Sequence, residues 1–205
     1  ESSVENKSIT LRGPIADADG CVSSDEFITA LAEHEGDITL HLNSEGGVVT
    51  EGLSIFNAID NYDGNVTVVV DTIAASIATV ICCAADKVVM NANAKFMIHR
   101  AWTVAAGNCL AFRATAEIME MMDADIAAAY SEKTGLDEVE ILDMMSAETW
   151  FTAKAALKAG FVDEVNPKKK SAKQPKAEAE GLSLFANVQA SRALAAMAKR
   201  RAENA

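Results

Sequence analysis

Val66-Thr67-Val68-Val69-Val70-Asp71-Thr72-Ile73-Ala74-Ala75-Ser76 is the stretch on which the fold of this chain turns. Its first five residues are all β-branched, which suits a strand covered on both faces rather than one with an alternating wet side. From about Ser76 to Ala85 the side chains become small and apolar, and the run reads as a helix. Gly64-Asn65 turns the chain into the strand.

The same order of strand, turn and helix stands upstream. Ile38-Thr39-Leu40-His41-Leu42 alternates like a half-buried strand, and Asn43-Ser44-Glu45-Gly46-Gly47 breaks it. Val49, Leu53, Phe56 and Ile59 then recur at helical spacing. Downstream, Val88-Val89-Met90 and Lys95-Phe96-Met97-Ile98 read as two further strands. No sequence repeat accompanies this pattern. It predicts an α/β spiral of β-β-α units, with helices covering a mostly parallel sheet.

The flanks extend the same design. Ser8-Ile9-Thr10-Leu11 is a first strand, stopped by Gly13-Pro14, and Ser24 can cap a helix over 24–35. Residues 111–131 make a long helix with Ile118, Met121, Met122, Ile126 and Tyr130 on its apolar side. That is more apolar surface than one packing face needs, which predicts a protruding handle that meets another subunit. Asp137 with Glu140 caps a helix through Met145, Thr152 caps a short one ended by Gly160, and Phe161 to Val165 is a last strand. The domains expected are therefore 1–165, a flexible basic linker over 166–180, and an amphipathic C-terminal helix over 181–205.

Charge narrows the partners. The 205 residues carry a net −12, yet 166–205 hold nine Lys or Arg against three Glu, a net +6 that leaves −18 on 1–165. An acidic body argues against nucleic acid, whose phosphates it would repel. No apolar run is long enough for a membrane span, and a cytoplasmic setting is expected. Cys21, Cys82, Cys83 and Cys109 form no Cys-x-x-Cys pair and no His cluster joins them, so neither a metal nor another cofactor is expected.

Three features could carry chemistry. Gly46-Gly47, after a buried strand, lets backbone amides face a ligand, although a tight turn alone would also use glycines there. Ser76, between strand and helix, is either an ordinary N-cap or a nucleophile beside free helix amides. His99 follows the strand that ends at Ile98 and is either structural or a general base. His41 is a weaker rival, and His34 sits on a surface helix.

In this order, strand–Asn43-Ser44-Glu45-Gly46-Gly47–helix, strand–Ala74-Ala75-Ser76–helix and strand–Met97-Ile98-His99 resemble the ClpP proteolytic subunits. They are especially similar to phage ClpP-like prohead proteases, over about Ile9 to Val165. The resemblance implies a ClpP/crotonase-like fold with a handle helix, and a serine endopeptidase with Ser76 as nucleophile and His99 as base. It implies an oxyanion hole from the amides of Gly47 and Ile77. It further implies that Gly46, Val48, Arg100 and Ala101 hold the substrate as an added strand. Aligned without gaps to the family's acid, the chain has Glu148; Asp143 is the alternative and needs a gap. Homo-oligomeric rings of six or seven subunits, acting on peptides or proteins such as phage scaffold or capsid protein, are implied as well.

Two departures shape the expectation. Glu45 stands where the family usually has proline. Only Glu1 to Lys7 precede the first strand, where ClpP subunits carry a pore segment that helps engage a AAA+ unfoldase, so ATP-independent action in the host cytoplasm or a procapsid is expected. Three alternatives stay open at this point: a housekeeping-type subunit working with an unfoldase, a crotonase-like acyl-CoA enzyme, and a non-catalytic ring or scaffold component.

Overall fold

A computed structural model describes residues 7–167, so the linker expected over 166–180, apart from its first two residues, and the C-terminal helix lie outside the described residues. The elements are β1 (Ser8–Arg12), α1 (Ser24–Ala32), β2 (Ile38–Ser44), α2 (Val49–Asp60), β3 (Val66–Ala75), α3 (Ile77–Cys83), β4 (Lys87–Asn91), β5 (Lys95–Ile98), α4 (Cys109–Thr134), α5 (Glu138–Ser146), β6 (Thr149–Thr152), α6 (Ala153–Lys158) and β7 (Glu164–Asn166). The sheet runs β1-β2-β3-β4-β7, all parallel, and β5 leaves β3 to pair antiparallel with β6. This is the mixed α/β fold with a largely parallel sheet that the patterning predicts.

The ten-residue β3 is the organising strand. Its first half, Thr67 to Val70, pairs with β4, and its second half, Ile73 to Ala75, pairs with β5. The sheet thus splits along one strand, and the continuation of β3 past Val70 carries the chain to the start of α3. Leu40, Leu42, Val68, Val70, Val88, Met90 and Phe96 are fully buried and form the sheet's contribution to the core. Each such side chain adds roughly 1.5–3 kcal/mol relative to an exposed one. β3 is not covered equally on both faces as its β-branched run suggests: Val66, Val68 and Val70 are buried, whereas Thr67, Val69 and Asp71 are half-buried.

Local signals place the helices with small shifts. The cap of α1 is Ser23, whose side chain accepts from the Glu26 amide, while Ser24 is buried and its amide donates to Glu51 Oε2 at 2.7 Å. Asn108 caps α4 and Gly135, at φ 73°, ends it in the left-handed conformation that glycine adopts without steric cost. Asp137 and Thr152 cap α5 and α6 as expected. The last strand begins at Glu164 and not at Phe161. Phe161 instead turns its ring into a cluster with Phe96, Phe151 and Tyr130, and Asp163 pairs with the Val88 main chain. Strand β6 has no counterpart in the sequence reading.

Of the apolar residues on α4, Ile126 and Tyr130 are buried, whereas Ile118 and Met121 are 54% and 68% exposed. Leu110 and Phe112, about two turns before Ile118, are exposed too. The helix therefore packs its C-terminal half on the core and leaves an apolar N-terminal half uncovered. No helix among the described residues is long and apolar enough to cross a membrane.

Candidate active site

Parallel pairing of β3 with β5 assembles the site. Ala75 is opposite Met97, and the Ser76 amide extends that ladder by donating to the Met97 carbonyl at 2.9 Å. Ser76 and His99 are thereby carried past the ends of two neighbouring strands. Ser76 Oγ lies 2.7 Å from His99 Nε2. The side chain makes no N-cap hydrogen bond to α3, so of the two geometries open for Ser76 the structure has the one facing the imidazole.

The backbone of Ser76 is unusual. At φ 57° and ψ −135° it occupies a region that a residue with a Cβ seldom adopts, at a cost on the order of 1–3 kcal/mol. The surroundings fix it there. Its amide is tied to β5, and its carbonyl accepts from both the Thr79 amide and the Thr79 hydroxyl, at 2.9 and 2.5 Å. Thr79 Oγ1 in turn receives the buried Tyr130 hydroxyl at 2.6 Å, so α4 braces the turn from behind.

The Gly46-Gly47 turn closes over this point. Gly46 is at φ 91°, and a Cβ on it would lie 2.6 Å from the Ala75 carbonyl oxygen and 2.7 Å from Ser76 Cβ. Glycine is required there on both counts. Buried Ser44 holds the turn by accepting from the Gly46 amide at 3.0 Å. A bridge to Ile15 uses the Gly46 carbonyl and the Val48 amide, which leaves the Gly47 N–H outside it. The Ile77 N–H belongs to the first turn of α3, where amides have no intrahelical acceptor. Two donors beside Ser76 can thus receive a developing oxyanion.

His99 is held below its ordinary proton affinity by burial, an effect that the charges of Glu148 and Asp123 oppose. The imidazole is therefore neutral at neutral pH and able to accept a proton from Ser76. Glu148, exposed at the junction of α5 and β6, is at φ 48°, and its Oε1 accepts from Trp150 Nε1 at 3.3 Å. It acts on His99 through its charge. Asp143 is exposed on α5 and is not among the charges acting on the imidazole.

The segment past His99 is more occupied than an open strand edge. The Arg100 amide donates to Met145 O at 3.3 Å and the Ala101 amide to Asp123 Oδ1 at 2.7 Å. Arg100 also donates through Nε to Ser146 Oγ at 2.7 Å and pairs with Asp123 at 3.0 Å. An added substrate strand would meet the carbonyls here, since these amides are taken. Val48 likewise gives its amide to Ile15 and offers an exposed side chain. Asp123, Thr79 and Tyr130 have no motif signal in the sequence, and only the fold brings them to the site.

The remaining candidates stand apart. His41 Nδ1 pairs with Asp71 Oδ1 at 3.1 Å on the sheet. Burial pushes the Cys83 thiol up to about 12 and Cys82 well above the ordinary range, so neither is a thiolate at neutral pH.

The chain is similar to known proteins over most of its length. The model of the family described as Clp protease matches residues 2–169. An ATP-dependent Clp protease proteolytic subunit of Streptococcus mutans is 30% identical over 178 residues, covering 79% of this chain and 85% of the relative. Proteolytic subunit 3 from Rhodococcus jostii is 29% identical over 162 residues, covering 78% and 80%. Proteolytic subunit 2 from Thermobifida fusca is 30% identical over 141 residues, covering 68% and 70%.

Proposed function

The chain belongs to the Clp protease family and is a serine peptidase, and we propose that Ser76 is its nucleophile and His99 its general base. The observation that carries this is the 2.7 Å contact between Ser76 Oγ and a neutral His99, beside a strained Ser76 backbone. In the proposed reaction Ser76 Oγ attacks the scissile carbonyl carbon as His99 Nε2 takes the hydroxyl proton. The amides of Gly47 and Ile77 receive the oxyanion, and His99 returns the proton to the leaving amine. Water, activated by the same histidine, then releases the acyl group. Glu148 is the acid in this scheme, stabilising the imidazolium through its field. Gly46, Val48, Arg100 and Ala101 line the path of the substrate chain, the last two through their carbonyls.

The assembly is a homo-oligomeric ring, supported by Leu110, Phe112, Ile118 and Met121 on the uncovered half of α4, which another copy would bury. The setting is a phage particle, with scaffold or capsid protein as substrate and no unfoldase; its support is the motif resemblance and the lysine-rich stretch after the last strand. A second reading, a subunit working with a AAA+ unfoldase, is favoured by the names of the relatives, which are ATP-dependent proteolytic subunits. Incubation with an unfolded protein, and with a folded one plus ATP and a Clp ATPase, separates them. Cleavage of the unfolded protein alone, lost in Ser76→Ala, supports the first; ATP-stimulated loss of the folded protein supports the second.

A further inference from the structure

The base hangs from the end of a strand. His99 is the first residue beyond β5, so the sheet holds it from one side only. On the other side the chain is fastened by Asp123, the one buried charged side chain among the described residues, with 5% of its surface accessible. Burying a carboxylate is costly unless hydrogen bonds and a counter-charge offset it. Both of its oxygens are used: Oδ1 accepts from the Ala101 amide at 2.7 Å and Oδ2 from Arg100 Nη1 at 3.0 Å. Arg100 is itself tied to Ser146 Oγ, and its amide to Met145 O, so residues 100–101 are clamped between α4 and α5.

We propose that Asp123 is a positioning residue of the active site, fixing the backbone that follows His99 and supplying negative charge beside the base. This rests on the peptidase reading above. Two charges act on the imidazole, Glu148 from the α5–β6 junction and Asp123 from α4, while the guanidinium of Arg100, next in the chain, is engaged by Ser146 and Asp123. Glu148, exposed and engaged by Trp150, exerts the larger of the two charge effects on His99; Asp123 adds to it from a site shielded from solvent and paired with Arg100. A neutral hydrogen-bonding side chain would serve a purely mechanical staple at lower desolvation cost. The charge is what a base that must become imidazolium requires.

The test uses the full chain and two variants. Asp123→Asn keeps an oxygen for the Ala101 amide and removes the charge; Asp123→Ala removes both. The chain has three histidines, His34, His41 and His99, so imidazole titration by NMR can follow His99 separately. In Asp123→Asn the His99 midpoint moves to lower pH. Fluorophosphonate labelling of Asp123→Ala slows about ten-fold or more, on the scale of a misplaced reacting group. An unchanged His99 midpoint in folded Asp123→Asn, with labelling of either folded variant within about two-fold of wild type, overturns the proposal. If Asp123→Ala does not fold, Asp123→Asn decides alone. Wild-type chain that resists labelling refutes the peptidase reading and with it the role in catalysis, while the His99 midpoint of Asp123→Asn still decides whether Asp123 supplies charge beside that ring.

Discussion

The Ser76 amide donates to the Met97 carbonyl at 2.9 Å, a main-chain bond that keeps Ser76 and His99 on adjacent strand ends. Residues 23 apart in sequence meet because β3 outruns β4 and pairs its last residues with β5. Ligand sites of parallel sheets lie at the carboxyl ends of strands, where side chains escape the ladder yet keep its rigidity. Ser76 and His99 follow that rule.

Peptidase activity should depend on neutral His99. Because burial lowers its proton affinity, activity stays on its plateau down to the ordinary histidine value of about 6.5 and falls only at lower pH. The unfolded chain takes up the proton at the ordinary value, so stability also declines as pH falls from there toward the folded midpoint. Glu148→Gln removes a charge that raises the affinity. Its pH–rate midpoint should shift further to acid, with a plateau loss of roughly ten-fold or less because an exposed carboxylate is screened. Asp143→Asn should leave both unchanged in the same pH–rate measurement.

Gly46→Ala should lose activity through geometry alone. The new Cβ meets the Ala75 carbonyl oxygen and Ser76 Cβ, and φ 91° is strained for any residue but glycine. Turnover should drop by about a hundred-fold, as for a misplaced reacting group, with the His99 midpoint little moved. Steady-state peptide hydrolysis beside histidine NMR checks both.

The Tyr130–Thr79–Ser76 chain predicts an asymmetry in stability. Tyr130→Phe removes a donor and leaves Thr79 bonded to the Ser76 carbonyl, at a cost of about 1 kcal/mol. Thr79→Val strands the buried Tyr130 hydroxyl and frees the strained turn, at a cost of about 1–3 kcal/mol. Denaturant unfolding of the two variants measures the difference.

Assembly should fail when the uncovered half of α4 is charged. Ile118→Glu with Met121→Glu places two carboxylates on surface that is 54% and 68% exposed in the single chain, so folding is spared. Sedimentation velocity should show a ring for the wild type and small species for the double variant. Equal sizes would contradict the handle interface.

How much of this was legible follows from the range of each signal. The β-branched run of β3, the Gly46-Gly47 turn and the Ser76–His99 order are local patterns, and they sufficed for the fold and for singling out the two side chains that the structure brings to 2.7 Å. Strand β6 was not legible: it has four residues, Thr152 reads as a cap, and the pairing of Phe151 with Phe96 bridges 55 residues. Asp123 sits in a helix with Glu117, Glu120 and Asp125, and nothing local separates a buried acid from solvated ones. Ser76 alone was ambiguous, because an N-cap and a nucleophile occupy the same place in sequence and differ only in backbone dihedrals.

Everything proposed for this site depends on activation of Ser76 by His99. Intact-mass and peptide-mapping mass spectrometry after reaction with a fluorophosphonate tests it directly. One adduct per chain is expected, mapped to Ser76, absent from Ser76→Ala and strongly reduced in His99→Ala. Modification elsewhere, or equal labelling of His99→Ala, would contradict it.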